Sequence, residues 1–342
     1  MRKTLIIVCA LTACGPRGLK VPELGPVPAL PEWPDDPPTD AKVALGRTLY
    51  FDVRLSGSGH TNCNSCHLAL TSFQDNLPLP VPDSSYPSDL PKVARHTPSL
   101  LNLVYAPVYR WDGAMTDLVD VMAFPFGEAN MNLGVDLPSS QAALKERLPQ
   151  AAPEYVTQFQ SVFDVDLRTL EPKAVWRLAG RALAAYARTI VSRDAPFDRW
   201  NAGDDQAMSA AAVRGLELFR GDAGCIACHG GPFFSDFGFH NLSLDPPRAD
   251  GTRADEGRSR VTQSEADRGK FLTPTLRSAW DTAPYFHDGS AISLKAVLTH
   301  FCSDKVRADP NHDPLFDTPL SLTDAQMSDL VDFLKALRSG AP

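Results

Sequence analysis

The chain has 342 residues, 43% of them hydrophobic and 22% charged, which suits two cores of ordinary domain size and excludes both a disulfide-stapled miniprotein and a disordered chain. With 33 Lys and Arg against 41 Asp and Glu, the net charge is −8 and no basic run is present to hold phosphates. Nucleic acid is therefore excluded as the expected partner.

Arg2 and Lys3 precede an apolar run over residues 5–11 that ends in Leu11-Thr12-Ala13-Cys14. Residues 1–13 read as a signal peptide, because the run is far shorter than the roughly 20 residues of a membrane span. The last four residues resemble a lipobox, which makes Cys14 a lipidated N-terminus and places the protein in the periplasm, touching the membrane only through that lipid. An ordinary secretory leader is the alternative. Residues 14–39 read as a semi-rigid tether, with eight prolines between 15 and 39.

From Asp40 the apolar pattern becomes globular. A helix is expected from Lys173 to Ile190, with Trp176, Leu178, Ala182, Ala185 and Tyr186 on its pattern. Another is expected behind Thr323, which stands three residues before Gln326 as in a capping box, with Gly340 as its stop. The units 40–205 and 206–342 repeat one another. Thr97-Pro98-Ser99-Leu100 runs to Asp112-Gly113 as Thr273-Pro274-Thr275-Leu276 runs to Asp288-Gly289, and Trp111 in the first matches His287 in the second.

Each unit carries a C-x-x-C-H motif, Cys63-Asn64-Ser65-Cys66-His67 and Cys225-Ile226-Ala227-Cys228-His229. Two thiols on one turn can add to the vinyl groups of a haem while the next imidazole, His67 or His229, reaches the iron. Two covalent c-type haems are the expected cofactors. A zinc module would need four ligands per site, and neither motif has a second Cys pair. A thioredoxin-like pair would need no histidine. After Cys9 and Cys14 only five of the seven cysteines remain, an odd number that argues against a pure disulfide framework.

In these motifs, and in Leu45-Gly46-Arg47, Trp111-Asp112-Gly113, Arg188-Thr189-Ile190-Val191-Ser192, Phe239-His240-Asn241-Leu242 and Ala283-Pro284-Tyr285-Phe286-His287-Asp288-Gly289-Ser290, the chain resembles the bacterial di-haem cytochrome c peroxidases and MauG-type enzymes. The resemblance implies a mainly α fold of two cytochrome c-like domains. The first haem, at 40–205, would be the peroxide site and the second, at 206–342, the electron entry. Hydrogen peroxide would be the oxidant. Electrons would come from a small cytochrome c or cupredoxin, or from a protein side chain. A di-haem electron carrier with little peroxide chemistry is the alternative.

The resemblance also places Trp111 between the haems. It implies calcium between the domains, held by the carbonyls of Thr282 and Pro284 and by an Asn side chain where this chain has His96, which lacks that oxygen. The family Gln of the peroxide pocket is Val121 here and the family Glu is Asn132, which leaves Glu128 as the nearest carboxylate to move a proton. At the second iron the family Met or Tyr is Phe301. His300 and Cys302 flank it, and His300 is the favoured metal ligand.

Overall fold

The computed structural model describes residues 24–88, 94–127 and 129–340. The first unit holds α1 (Asp40–Phe51), α2 (Cys63–Cys66), α3 (Leu118–Ala123), α4 (Leu137–Ala151), α5 (Glu154–Phe163) and α6 (Pro172–Ala187). After α7 (Pro196–Asn201) come α8 (Ala210–Arg220), α9 (Ser259–Thr262), α10 (Leu294–Phe301) and α11 (Asp324–Lys335). The named strands β1 (Phe239–His240) and β2 (Phe271–Leu272) form one small antiparallel ladder, Phe239 opposite Leu272. The fold is mainly helical, as the resemblance implies.

In each unit a glycine sets a principal helix crossing. In the first, α1 presents Leu45, Leu49 and Tyr50 to Val175, Ala179, Ala182 and Leu183 of α6. A Cβ on Gly46 would sit 1.9 Å from the Ala182 carbonyl oxygen, so only glycine permits this approach. In the second, α8 crosses α11 at Gly215, where a Cβ would lie 2.0 Å from the Asp329 carbonyl oxygen. Behind that crossing Phe219, Phe234 and Phe333 pack edge to face with centroids 5.1–6.1 Å apart. Each fully buried ring contributes about 1.5–3 kcal/mol. Phe197 of α7, which precedes the 205/206 boundary, joins this second core.

The internal repeat is visible in the backbone. Asn102 and Ser278 both take left-handed conformations, at φ 61° and 57°, and each opens a 3-10 turn, Leu103–Tyr105 and Ala279–Asp281. Arg110 and Phe286 share φ 71°, followed by Gly113 and Gly289 at 65° and 66°. The bridges Tyr109 to Met115 and Tyr285 to Ala291 close the two loops alike. Side chains rarely adopt positive φ, so matching outliers at matching positions mark one ancestral loop used twice.

Several expectations need revision. Helix α6 stops at Ala187, short of Ile190, and α11 at Lys335, short of Gly340. The capping box at Thr323 and Gln326 does form. Beyond it the carbonyls of Ala336 and Leu337 accept from Phe197 N and Ser278 N, so tertiary partners end the helix before glycine can. The described part of the Pro-rich segment, 24–39, is no free tether. Leu24 is buried in the second core, the Pro28 carbonyl accepts from Tyr105 and Arg193, and Trp33 lies under Arg188 with the cation 4.2 Å from the ring centroid. Asp36 then pairs with Lys42 and Arg181. The segment thus straps the two units together. Residues 1–14, including Cys14, lie outside the described residues, and among those described no helix is long and apolar enough to cross a membrane.

Candidate functional site

Helix α2 places Cys63, Cys66 and His67 on one turn, because His67 N donates to the Cys63 carbonyl at 2.9 Å. The turn is fixed to the end of α1 by Asn62 Nδ2, which donates to Phe51 O at 2.7 Å, and by Tyr50, whose hydroxyl donates to His67 O. The second motif repeats the arrangement on a 3-10 turn, Cys225–Ala227, with His229 N donating to Cys225 O at 2.9 Å. The described cysteines are all free. Burial pushes Cys63, Cys66 and Cys225 up to about 12, which disfavours the thiolate form that a metal site would need.

The two histidines are oriented alike. His67 Nδ1 donates to Phe73 O at 3.1 Å and His229 Nδ1 to Phe234 O at 2.8 Å. Both phenylalanines take positive φ, 60° and 53°, which turns the carbonyl towards the ring. A hydrogen bond to a carbonyl requires the proton on Nδ1, so the lone pair lies on Nε2 in both rings. Burial lowers both histidine pKa values, which keeps the imidazoles neutral as iron ligation requires. The residues therefore fit two covalently attached haems with His67 and His229 on the iron side.

Trp111 lies at the joint of the two units. Its indole N–H donates to His96 O at 2.8 Å, its own carbonyl accepts from Leu272 N at 2.8 Å, and His96 N donates to His287 O at 2.7 Å. Nearby, His287 stacks on Phe271 with centroids 3.5 Å apart and planes 10° off parallel. Arg95 ties the units across this joint, reaching Asp112 of the first and Asp255 of the second, each at 2.6 Å. Burial opposes ionisation of Asp255, but the Arg95 guanidinium holds its carboxyl at about 2.

Of the residues expected at the peroxide pocket, Glu128 lies outside the described residues. Asn132 takes φ 49° and its Nδ2 donates to Ser85 Oγ at 2.9 Å. Ser85 in turn donates to Asp83, a carboxylate only 1% exposed that also accepts from Ser58 Oγ at 2.6 Å. Burial raises the Asp83 pKa, but the Ser58 and Ser85 hydroxyls outweigh it and hold the group at about 2. Asp83 is thus a fixed anion that anchors the Asn132 loop, not an acid. Sequence reasoning missed it, although Pro82-Asp83-Ser84-Ser85 is a recognisable Asx-turn pattern.

His300 lies in α10, where its Nε2–H donates to Leu242 O at 2.8 Å, so its lone pair is on Nδ1. It borders a cavity of about 330 Å³ with Phe286, Ser290 and Ala296. Phe301, at the family ligand position, packs on Phe316 with centroids 5.2 Å apart. A zinc reading finds one cluster among the described residues, Cys228, Asp236 and His240. Its imidazole is spent on carboxylates, Nδ1 on Asp313 at 2.6 Å and Nε2 on Asp236 at 3.0 Å. A groove of about 870 Å³ beneath Trp33, lined by Tyr109, Asp117 and Arg177, includes none of the motif residues.

Comparison with known proteins agrees with this geometry. Residues 40–206 match the family model described as di-haem cytochrome c peroxidase. Cytochrome-c peroxidase IdrP1 of Denitromonas iodatirespirans is 38% identical over 98% of this chain and 91% of its own length. Methylamine utilization protein MauG of Methylorubrum extorquens is 36% identical over 91% of this chain and 82% of its own. Among solved structures, a MauG-like protein associated with microbial copper homeostasis superposes with a TM-score of 0.77 at 28% identity, covering 94% of this chain and 95% of that one.

Proposed function

The chain belongs to the di-haem cytochrome c peroxidase family and is a peroxidase-type oxidoreductase with two c-type haems; on that premise, we propose that it reduces hydrogen peroxide at the His67 haem with electrons delivered through the His229 haem and Trp111. The observation that supports a two-haem relay is the pair of similarly tethered imidazoles with the Trp111 indole at the joint between their units, and the order of the two roles follows the family likeness. When bound, haem iron supplies the centre at which peroxide is cleaved and the electrons that reduce it. The chain's own part is orientation and proton supply. Phe73 O and Phe234 O fix the two imidazoles, His96 O fixes the indole, and Glu128 or water brings the proton that Asn132 cannot give. The electron source is a small redox protein of the cytochrome c or cupredoxin kind, or an oxidisable side chain of a protein substrate.

Trp111→Phe is expected to slow peroxide turnover about tenfold or more, a barrier rise of roughly 1.4 kcal/mol, with haem content unchanged. The check is stopped-flow oxidation of the reduced second haem by peroxide. Unchanged kinetics would reduce Trp111 to a packing residue.

The second haem is expected to lack Met ligation, since Phe301 fills the family position and α10 contains no methionine. In this reading His300 would hold the second iron through Nδ1, the nitrogen that Leu242 O leaves free. The ferric spectrum should lack the near-infrared Met-to-iron band, and His300→Ala should change the spin state. A Met band, or a spectrum indifferent to His300→Ala, removes the assignment. A low-potential His/His haem would suit a MauG-like role better than scavenging. Export with lipidation at Cys14 belongs to the same proposal, and a protein found soluble in the periplasm with its leader cut elsewhere would refute the lipid anchor.

A further inference from the structure

The family likeness implies calcium between the domains, and the residues at that place do not suit it. A calcium ion takes about six to eight oxygens. In place of the Asn oxygen stands His96, 4% exposed, with both ring nitrogens committed. Its Nδ1–H donates to Leu77 O at 2.8 Å, and its Nε2 accepts from the Gln74 amide at 2.6 Å. Gln74 Oε1 accepts in turn from Asn76 N at 2.6 Å, so the amide orientation is set from both ends.

The carbonyls that alternate with the expected ones of Thr282 and Pro284, those of Asp281 and Ala283, are taken by a hydrogen-bond donor. Asn76 Nδ2 lies 2.9 Å from Asp281 O and 2.8 Å from Ala283 O. The adjacent carboxylates are also engaged. Asp75 accepts from Thr97 Oγ1 at 2.9 Å and Leu77 N at 3.1 Å, and Asp281 from Arg338 at 2.8 Å and Ser72 at 3.2 Å. The segment 74–78 presses close to the second unit, since a Cβ on Gly289 would meet Pro78 O at 2.4 Å.

We propose that this joint is made without calcium, with the Asn76 amide and the His96 ring doing by hydrogen bonds what the ion does in the family. Both are positioning residues. His96 holds the Trp111 indole through its carbonyl, and Asn76 holds the 281–283 stretch of the second unit against the first. The inference rests on the di-haem reading for the purpose of the joint, but its test does not need peroxide turnover.

Purified holoprotein, desalted and treated with EGTA, is assayed for calcium by mass spectrometry, for melting temperature and for haem EPR, then again after addition of calcium chloride. The expected result is substoichiometric calcium, with melting temperature and EPR indifferent to both treatments. One retained calcium per chain, or a change of spin state or melting temperature on chelation, would overturn the proposal. Asn76→Ala is expected to slow electron transfer between the haems several-fold while each haem keeps its own spectrum, with no recovery in calcium. An Asn76→Ala protein that transfers electrons as fast as the parent refutes the positioning role. Absence of peroxide reduction in a calcium-indifferent parent would count against the proposed activity and leave the joint standing.

Discussion

A chain with Cys63→Ala and Cys66→Ala is expected to retain one covalent haem, to lose peroxide turnover to background, and still to accept electrons from a reductant at the His229 haem. The reasoning is local. The two thiols sit on one turn held by α1, by the Phe73 loop and by the first core, so their removal is expected to free the first haem without disturbing α8, α11 or the second motif. The reciprocal pair, Cys225→Ala and Cys228→Ala, should keep the first haem and lose the supply of electrons to it. Pyridine haemochrome assay of denatured protein counts the haems. Equal peroxide turnover in the first variant and the parent would place the chemistry elsewhere.

Gly215→Ala is expected to destabilise the second unit by roughly 3 kcal/mol or more, because the new methyl meets backbone, not a side chain that can swing away. The helices α8 and α11 must separate, and the packing of Phe219 on Phe333 opens with them. On a unit of this size the shift is roughly 6–12 °C in melting temperature. Calorimetry, with the two Soret contributions followed separately, should show the second unit melting first. Gly340→Ala is the control, since nothing lies within 4 Å of a Cβ there. A Gly215→Ala protein as stable as this control would mean that the helices have room the crossing does not show.

What could be read from residues alone was whatever is encoded locally. The C-x-x-C-H turns, the periodicity of α6, the capping box of α11 and the Thr-Pro to Asp-Gly repeat are short patterns whose physics lies within a few residues. What could not be read depends on distant partners. Nothing near Leu337 announces that its carbonyl serves Ser278, nor does the Pro-rich composition of 24–39 show that Leu24 reaches the second core. The left-handed Phe73 and Phe234 are unusual choices for that conformation, and their carbonyls became visible as histidine partners only in the fold. His96 was singled out as a departure from the family, but its partners Gln74 and Leu77 come from a loop 19 or more residues away.

The claim that one haem is open to peroxide while the other relays electrons is tested most directly by EPR of the ferric holoprotein before and after one equivalent of hydrogen peroxide. One high-spin and one low-spin haem in equal amounts are expected, with the high-spin signal lost on reaction. Two low-spin haems that ignore peroxide would contradict it, and would make the chain an electron carrier.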